Sequence, residues 1–364
     1  LQTGANVKLF TEYNLKGLDL KNRVVMAPMT RCRAIDNIPN DLMAEYYGQR
    51  AGAGLIITEG IAPSPNGLGY ARIPGLYNDD QIKGWQKVTA KVHANGGKIF
   101  AQLMHTGRTS HPENMPKDAI VMSASAVTLS GEMYTDSSGM QPYPEPREMT
   151  IAEIKSTQQE YVTAAQNAIA AGFDGVELHG ANGYLIDQFI NTASNRRTDA
   201  YGGSSENRSR FAIEVAQKVS AAIGAEKTGI RLSPYGVFND MEIFDGIEDT
   251  FAYLAAELGK LDLAYIHLVD HSAMGAPEVP ESVKIKIRDA FAGVIIVSGG
   301  FDKNRAEKAL ESGLGELAAF GRPFISNPDL VERMQSDTAL AEFHQETFYT
   351  PGEKGYTDYP TMQN

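Results

Sequence analysis

Residues 176–191 read VELHGANGYLIDQFIN. The segment starts as a buried strand and stops being one at His179. Asn182 and Tyr184 follow closely, and LIDQFI then takes up helical spacing. A buried strand, a polar turn and a helix make one β/α unit, and the rest of the chain shows whether the unit recurs.

It does. Short runs rich in Val, Ile and Leu appear at 23–27 (RVVMA), 54–60 (GLIITEG), 98–103 (KIFAQL), 175–179 (GVELH), 229–233 (GIRLS), 264–268 (AYIHL), 293–299 (GVIIVSG) and 317–321 (LAAFG). They are mostly unalternating, as strands buried on both faces of a parallel sheet are. Amphipathic segments lie between them. Thr150 and Glu153 make a capping-box pattern, and Ile154, Tyr161, Ala165, Ala168 and Ile169 then share one face before Gly172 stops the helix. Residues 79–97 behave alike, with Asn78 as cap, a stripe of Ile82, Trp85 and Val88, and Gly96-Gly97 as the end. Further helices are expected over 205–224, 249–261, 280–293 and 303–313. Strand–helix units in series predict a (β/α)8 TIM barrel in a single domain, with a doubly wound open sheet as the alternative.

Such a barrel needs about 250 residues, and the chain has 364. The surplus falls in three places. Residues 6–22 hold two extended pieces around Lys16-Gly17, an N-terminal hairpin expected under the barrel floor. Residues 104–149 form a long excursion after the third strand, and a loop of that length is usually a lid or an interface. Residues 336–364 form a tail.

Composition excludes several classes. A net charge of −12 argues against nucleic acid and anionic lipid as partners. No apolar run is long enough to predict a membrane span, and LQTGANVKLF (1–10) lacks the basic-then-apolar pattern of a secretory signal. The lone cysteine, Cys32, cannot close an internal disulfide or hold an iron–sulfur cluster, so a cytoplasmic location is expected.

In barrels of this kind chemistry sits where strands end. The candidates are Pro28, Met29 and Thr30; Glu59 and Gly60; Gln102 and His105; His179, Asn182 and Tyr184; Arg231; His267, Asp270 and His271; Gly299 and Gly300; and Gly321 and Arg322. Glycines after the seventh and eighth strands, with Arg322 beside them, suit a phosphate held by backbone N–H groups. No strand ends on the lysine that pyridoxal phosphate or a Schiff-base aldolase requires. His267, Asp270 and His271 offer only part of a metal-ligand set, so no metal is expected. The amide, hydroxyl and guanidinium groups of Thr30, Gln102, Asn182 and Arg231 suit instead a flat polar heteroaromatic ring.

HGANGYLIDQFIN with SNRRTDAYGGSSENRSRF (194–211) resembles the signature region of the old yellow enzyme family of flavin-dependent ene-reductases. APMTR, QLMHTGR (102–108), FGRPFISNPDL (320–330) and GYTDYP (355–360) carry the same likeness, which runs from Lys8 to Pro360. The resemblance implies non-covalent FMN, with NADPH or NADH as reductant. It implies ping-pong transfer of hydride from flavin N5 to electron-poor alkenes such as α,β-unsaturated carbonyls, with nitro compounds and nitrate esters as further substrates. Phenols are the implied inhibitors, and the implied assembly is a monomer or homodimer.

By the same resemblance Pro28, Met29 and Thr30 border the flavin, Gly60 gives its ring room, Gln102 and Arg231 bond its pyrimidine edge, and Gly299, Gly300, Gly321 and Arg322 hold its phosphate. His179 and Asn182 are implied to bind the substrate oxygen, and Tyr184 to protonate the α carbon. Tyr70, Met104 and Tyr349 are implied to line the substrate cavity, the tail folding back over the mouth. Some family members carry a second histidine where this chain has Asn182, and several carry an aromatic residue in place of Met104. Asp199, Arg208 and Arg210 are expected to knit a loop to its helix by ion pairs. His267 and His271 are read as structural and Cys32 as a packed residue.

Overall fold

Eight strands carry the fold in the computed structural model, which describes residues 7–363. They are Val24–Met26 (β1), Leu55–Ile61 (β2), Ile99–Leu103 (β3), Gly175–Gly180 (β4), Thr228–Leu232 (β5), Tyr265–Leu268 (β6), Val294–Val297 (β7) and Leu317–Phe320 (β8). Each pairs in parallel with the next in sequence, and β8 pairs with β1, so the sheet closes as a barrel. Every strand agrees with its sequence expectation to within one or two residues. Residues 1–6, on which the reading of the N-terminal start partly rests, lie outside the described residues.

The runs look unalternating because both faces are buried, yet the two faces differ. Val24, Ile56, Ile99, Val176, Leu178, Ile230 and Ile266 pack in the core shared with the helices. Val25, Leu55, Ile57, Phe100, Tyr265, Val294, Ile296 and Leu317 form a separate inner cluster that includes Leu15 and Leu20. These two leucines come from the expected hairpin, Tyr13–Leu15 against Leu18–Leu20, which turns at Lys16 and Gly17 with positive φ at both. It plugs the floor of the barrel.

The predicted helices form. Ile151–Ala170 carries both halves of the Thr150–Glu153 capping box, and Asn78 caps Asp79–Ala94 by accepting from the Gln81 N–H at 2.9 Å. Asp41–Gln49, between β1 and β2, is a helix the sequence reading missed; its signal was Asn40, whose side chain accepts from Met43 N at 3.0 Å. The excursion over 104–149 has more structure than expected. It holds an antiparallel hairpin, Glu132–Thr135 with Gly139–Pro142, and a short parallel pair, Met122–Ser123 with Arg147–Glu148. The ion pairs expected around residue 199 are also redistributed. Asp199 pairs with Arg197 at 2.6 Å, while Arg208 and Arg210 donate to the carbonyls of Ile190, Gly203 and Ala200. Among the described residues no helix is long and apolar enough to cross a membrane.

Three arginines bind the tail across the top. Arg31, Arg33 and Arg50 are at most 1% exposed. Arg31 donates to the carbonyls of Phe348 (3.0 Å) and Gly355 (2.7 Å), and Arg33 to those of Thr347 (2.8 Å) and Phe348 (2.7 Å). Arg50 donates to Tyr356 of the tail at 3.3 Å and to Phe324 and Ile325 after β8, each at 2.8 Å. Burial pulls Arg33 and Arg50 down to about 10, so both remain charged at neutral pH. A buried cation without acceptors is costly, so these carbonyls and the arginines fix each other.

Leu15→Ala is expected to lower the unfolding free energy by about 2–5 kcal/mol, read as a shift in the urea midpoint. A loss under about 1 kcal/mol would mean that the hairpin plug is no part of the barrel core.

Candidate active site

The register of the barrel strands brings polar inward-facing residues to one level. His179 on β4 lies beside Arg231 on β5, and Arg231 beside His267 on β6. One residue pair lower in β4, Glu177 lies beside Gln102 on β3. All five are 6% exposed or less.

His179 is set up as a hydrogen-bond donor. Burial, with Arg231 and His267 close by, depresses its pKa well below the ordinary value, so the ring is neutral. Its Nδ1 takes the N–H of Ala181 at 3.3 Å. An accepting Nδ1 places the proton on Nε2. Asn182 follows in the left-handed region, φ 58°. Its N–H donates to Ser233 Oγ at 2.8 Å and its carbonyl accepts from Asn239 Nδ2 at 2.8 Å. Its side-chain amide has no hydrogen-bond partner among the described residues and is only half-buried. Asp187 completes this bracket by accepting from the Gly183 N–H at 2.9 Å; burial pushes its carboxyl up to about 7.

Tyr184 stands edge-on to the His179 ring, with centroids 4.9 Å apart. Its phenol oxygen is 2.8 Å from that of Tyr70. Burial pushes the Tyr184 phenol up to about 12; the Tyr70 hydrogen bond opposes the rise, and the nearby phenols of Tyr143 and Tyr349 add to it. The group therefore carries its proton throughout the neutral range. Cys32, Leu68, Ile73, Met104 and Tyr184 form an apolar cluster with Tyr70 against it. Desolvation likewise pushes the Cys32 thiol up to about 12, in keeping with a packed rather than reactive residue.

Three details bear on the sequence reading. A Cβ on Gly60 would stand 2.5 Å from the Met104 side chain, so no other residue fits there without a shift of that methionine. Tyr349, expected to line the cavity, is 60% exposed and close enough to Tyr184 to affect its phenol. The Asp270 carboxylate is taken by Lys284 at 2.7 Å and by Ser272 at 2.6 Å, and His267 is paired with Glu177, so the partial metal set is dispersed. The rest sit at the mouth as expected. Pro28, Met29 and Thr30 follow β1 half-buried, with Met29 against Ile325, Phe348 and Tyr359. Gly299 and Gly300 follow β7, and Gly321 and Arg322 follow β8. None of these last four residues has an acceptor for its backbone N–H among the described residues. The Arg322 guanidinium lies over the rings of Phe343 and Phe348, 5.7 and 5.6 Å from their centroids.

The sequence reading missed Glu177, Tyr143, Ser233 and Asp187. Only Glu177 gave a signal, a charge inside a run otherwise read as buried strand.

The mouth is incomplete as protein alone. The Arg231 side chain is buried and makes no hydrogen bond to any described residue, and its Nε is sealed from solvent. Gln102 donates from Nε2 to Glu177 at 2.9 Å, while its Oε1 accepts nothing among the described residues. An unpaired guanidinium, an amide acceptor, the Thr30 hydroxyl and four free N–H groups with an arginine are the donor set of a flat, electron-rich ring on a phosphate arm. FMN fits this set.

Comparison with known proteins agrees. Residues 8–341 match the NADH:flavin oxidoreductase / NADH oxidase family. The chain is 40% identical to 12-oxophytodienoate reductase 7 of Oryza sativa subsp. japonica, covering 97% of this chain and 94% of that protein. It is 42% identical to a probable flavin mononucleotide-dependent alkene reductase of Leishmania infantum, covering 95% of each. Morphinone reductase superposes with a TM-score of 0.95 at 42% identity, covering 99% of this chain and 97% of that one; its complex with tetrahydroNAD gives 0.93. Barrel, mouth and these relatives together place the chain in the NADH:flavin oxidoreductase / NADH oxidase family, the old yellow enzyme family that its motifs resemble.

Proposed function

We propose that this chain is an FMN-dependent, NAD(P)H-driven reductase of activated C=C bonds in α,β-unsaturated carbonyls. The observation that carries the reading is the buried Arg231 guanidinium without a partner, at the level of a neutral, donor-poised His179. Gln102, Arg231 and Thr30 would hold the ring of FMN, Pro28 and Met29 would flank it, and Gly299, Gly300, Gly321 and Arg322 would hold its phosphate. The chemistry that bound FMN supplies is two-electron transfer from a nicotinamide to an alkene in successive visits to one site.

The chain's own residues supply the rest. His179 Nε2–H and the Asn182 amide donate to the substrate oxygen, where negative charge gathers as the double bond is reduced. Donors aimed at such a charge are worth about 10²–10³ in rate each. Tyr184 gives its phenolic proton to the α carbon, and Tyr70 at 2.8 Å orients that phenol and shares the charge left behind. Met104, Leu68 and Ile73 keep water from the reacting face. The excursion over 104–149 acts as a lid, tied down by Gln188, which accepts from Arg108 N at 3.1 Å and Ser123 Oγ at 2.8 Å. Tyr349 forms part of the rim that substrates pass. Nitro compounds and nitrate esters offer the same oxygen to His179 and Asn182, and phenols bind there as inhibitors. The single buried cysteine suits a cytoplasmic location, with the protein a monomer or homodimer.

Purified protein is expected to be yellow, to bleach with NADPH or NADH, and to recover colour with 2-cyclohexenone; bleaching without recovery would exclude the alkene as oxidant. Tyr184→Phe should leave bleaching near wild type and slow recovery about 10²–10⁴-fold. Because the phenol stays protonated up to about 12, the wild-type to Tyr184→Phe rate ratio should be flat from about pH 6.5 to 9. A ratio that falls across that window would remove Tyr184 as the acid. His179→Ala should weaken the binding of 4-hydroxybenzaldehyde about tenfold or more, as loss of a hydrogen bond to a charged oxygen requires; unchanged affinity in a spectral titration would take His179 out of the oxygen site.

A further inference from the structure

Glu177 is a charge sealed in the barrel, its side chain 0% exposed. Three donors converge on it. Gln102 Nε2 meets Oε1 at 2.9 Å, while Tyr265 Oη and His267 Nδ1 meet Oε2 at 2.8 and 3.0 Å. Tyr265 reaches it because Gly229, on the neighbouring strand, leaves its ring the space a Cβ would fill. Burial works to raise the carboxyl's pKa, but His267, Arg231 and the donated hydrogen bonds hold it below the usual carboxylate range. The group is ionised, and an ionised carboxylate only accepts.

That fact orients its neighbours. The Gln102 NH2 must face Glu177, so the oxygen of the amide is what remains for the mouth. His267 must give its Nδ1 proton to Glu177, and its own pKa is lowered by burial, so Nε2 is a bare acceptor. His267 Nε2 and Arg231 Nε are both buried without partners, on adjacent strands in register. The negative charge of Glu177 also partly offsets the positive charge of Arg231. A buried carboxylate thus sets both the donor–acceptor pattern and the electric potential that the barrel presents to a ring above it.

We propose that Glu177 is a positioning residue that, through Gln102 and Arg231, sets the reduction potential of the bound flavin. The proposal rests on the FMN reading given above. Removing the negative charge favours the electron-rich reduced ring, so Glu177→Gln should raise the potential. Removing a donor concentrates charge on the carboxylate, so Tyr265→Phe should lower it. General structural damage gives no reason for opposite signs.

The test is the two-electron potential of bound FMN, measured against a reference dye in the wild type and both variants, together with the FMN content of each. Glu177→Gln is expected to shift the ratio of oxidised to reduced FMN dissociation constants about tenfold towards the reduced form, close to +30 mV. Tyr265→Phe should shift it about threefold the other way, as weaker support of a charged acceptor implies. If Glu177→Gln fails to retain FMN, Tyr265→Phe decides alone: a lowered potential supports the assignment and an unchanged one overturns it. Equal potentials in all three FMN-bound proteins would overturn the role of Glu177 while leaving the FMN reading intact. A wild type that binds no FMN would overturn both.

Discussion

A guanidinium held at the mouth of a closed barrel without an acceptor is the constraint on which the site depends. Taking a full charge out of water costs several kcal/mol unless something pairs with it. Elsewhere this chain meets that requirement within itself. Arg31, Arg33 and Arg50 are as deeply buried as Arg231, and each is surrounded by backbone carbonyls. The Arg231 guanidinium has the offset charge of Glu177 and no hydrogen bond to any described residue. The contrast separates cations that build the fold from one that awaits a ligand.

The same economy governs the titratable groups. The mouth holds neutral or constant-charge donors through the physiological range: His179 depressed by burial and Arg231, and the Tyr184 phenol pushed up to about 12. Desolvation supplies both shifts at once. The tail and the excursion bring Tyr349 and Tyr143 close to the Tyr184 phenol. Neither belongs to the basic barrel. The tail is held by arginine–carbonyl contacts and by Phe348, Tyr356 and Tyr359 in the apolar clusters, and the excursion by Gln188, by the Arg72–Asp136 ion pair and by Met122, Ala124 and Met149 in the core.

Much of this was legible in the sequence because parallel strands buried on both faces leave a strong mark, and polar residues or glycines stand at or just beyond most strand ends. His179, Asn182, Tyr184, Arg231 and the glycine pairs all fell where the strand rhythm put them. The failures have physical causes. The helix Asp41–Gln49 is short and carries Tyr46, stacked on Tyr356 of the tail, and Tyr47, packed on Trp85, where a solvent-facing stripe would otherwise have marked it. Spacing along the chain cannot show that Met104 packs beside Gly60, or that Tyr70 meets Tyr184 across 114 positions, because both depend on how loops fold over the mouth. Glu177 was overlooked because a run of apolar residues hides a single charge, although a charge there demands partners, here three side chains from two other strands.

The central claim is that the unpaired groups of the mouth are the receptor of a flat phosphorylated ring, and a crystal structure of the protein grown with FMN tests it most directly. The account requires the ring to lie across β3 and β5 with Gln102 Oε1 and the Arg231 guanidinium in hydrogen-bond contact with its pyrimidine edge, and the phosphate on the N–H groups after β7 and β8. Electron density for FMN elsewhere, or a ring that leaves Arg231 still without a partner, would contradict it.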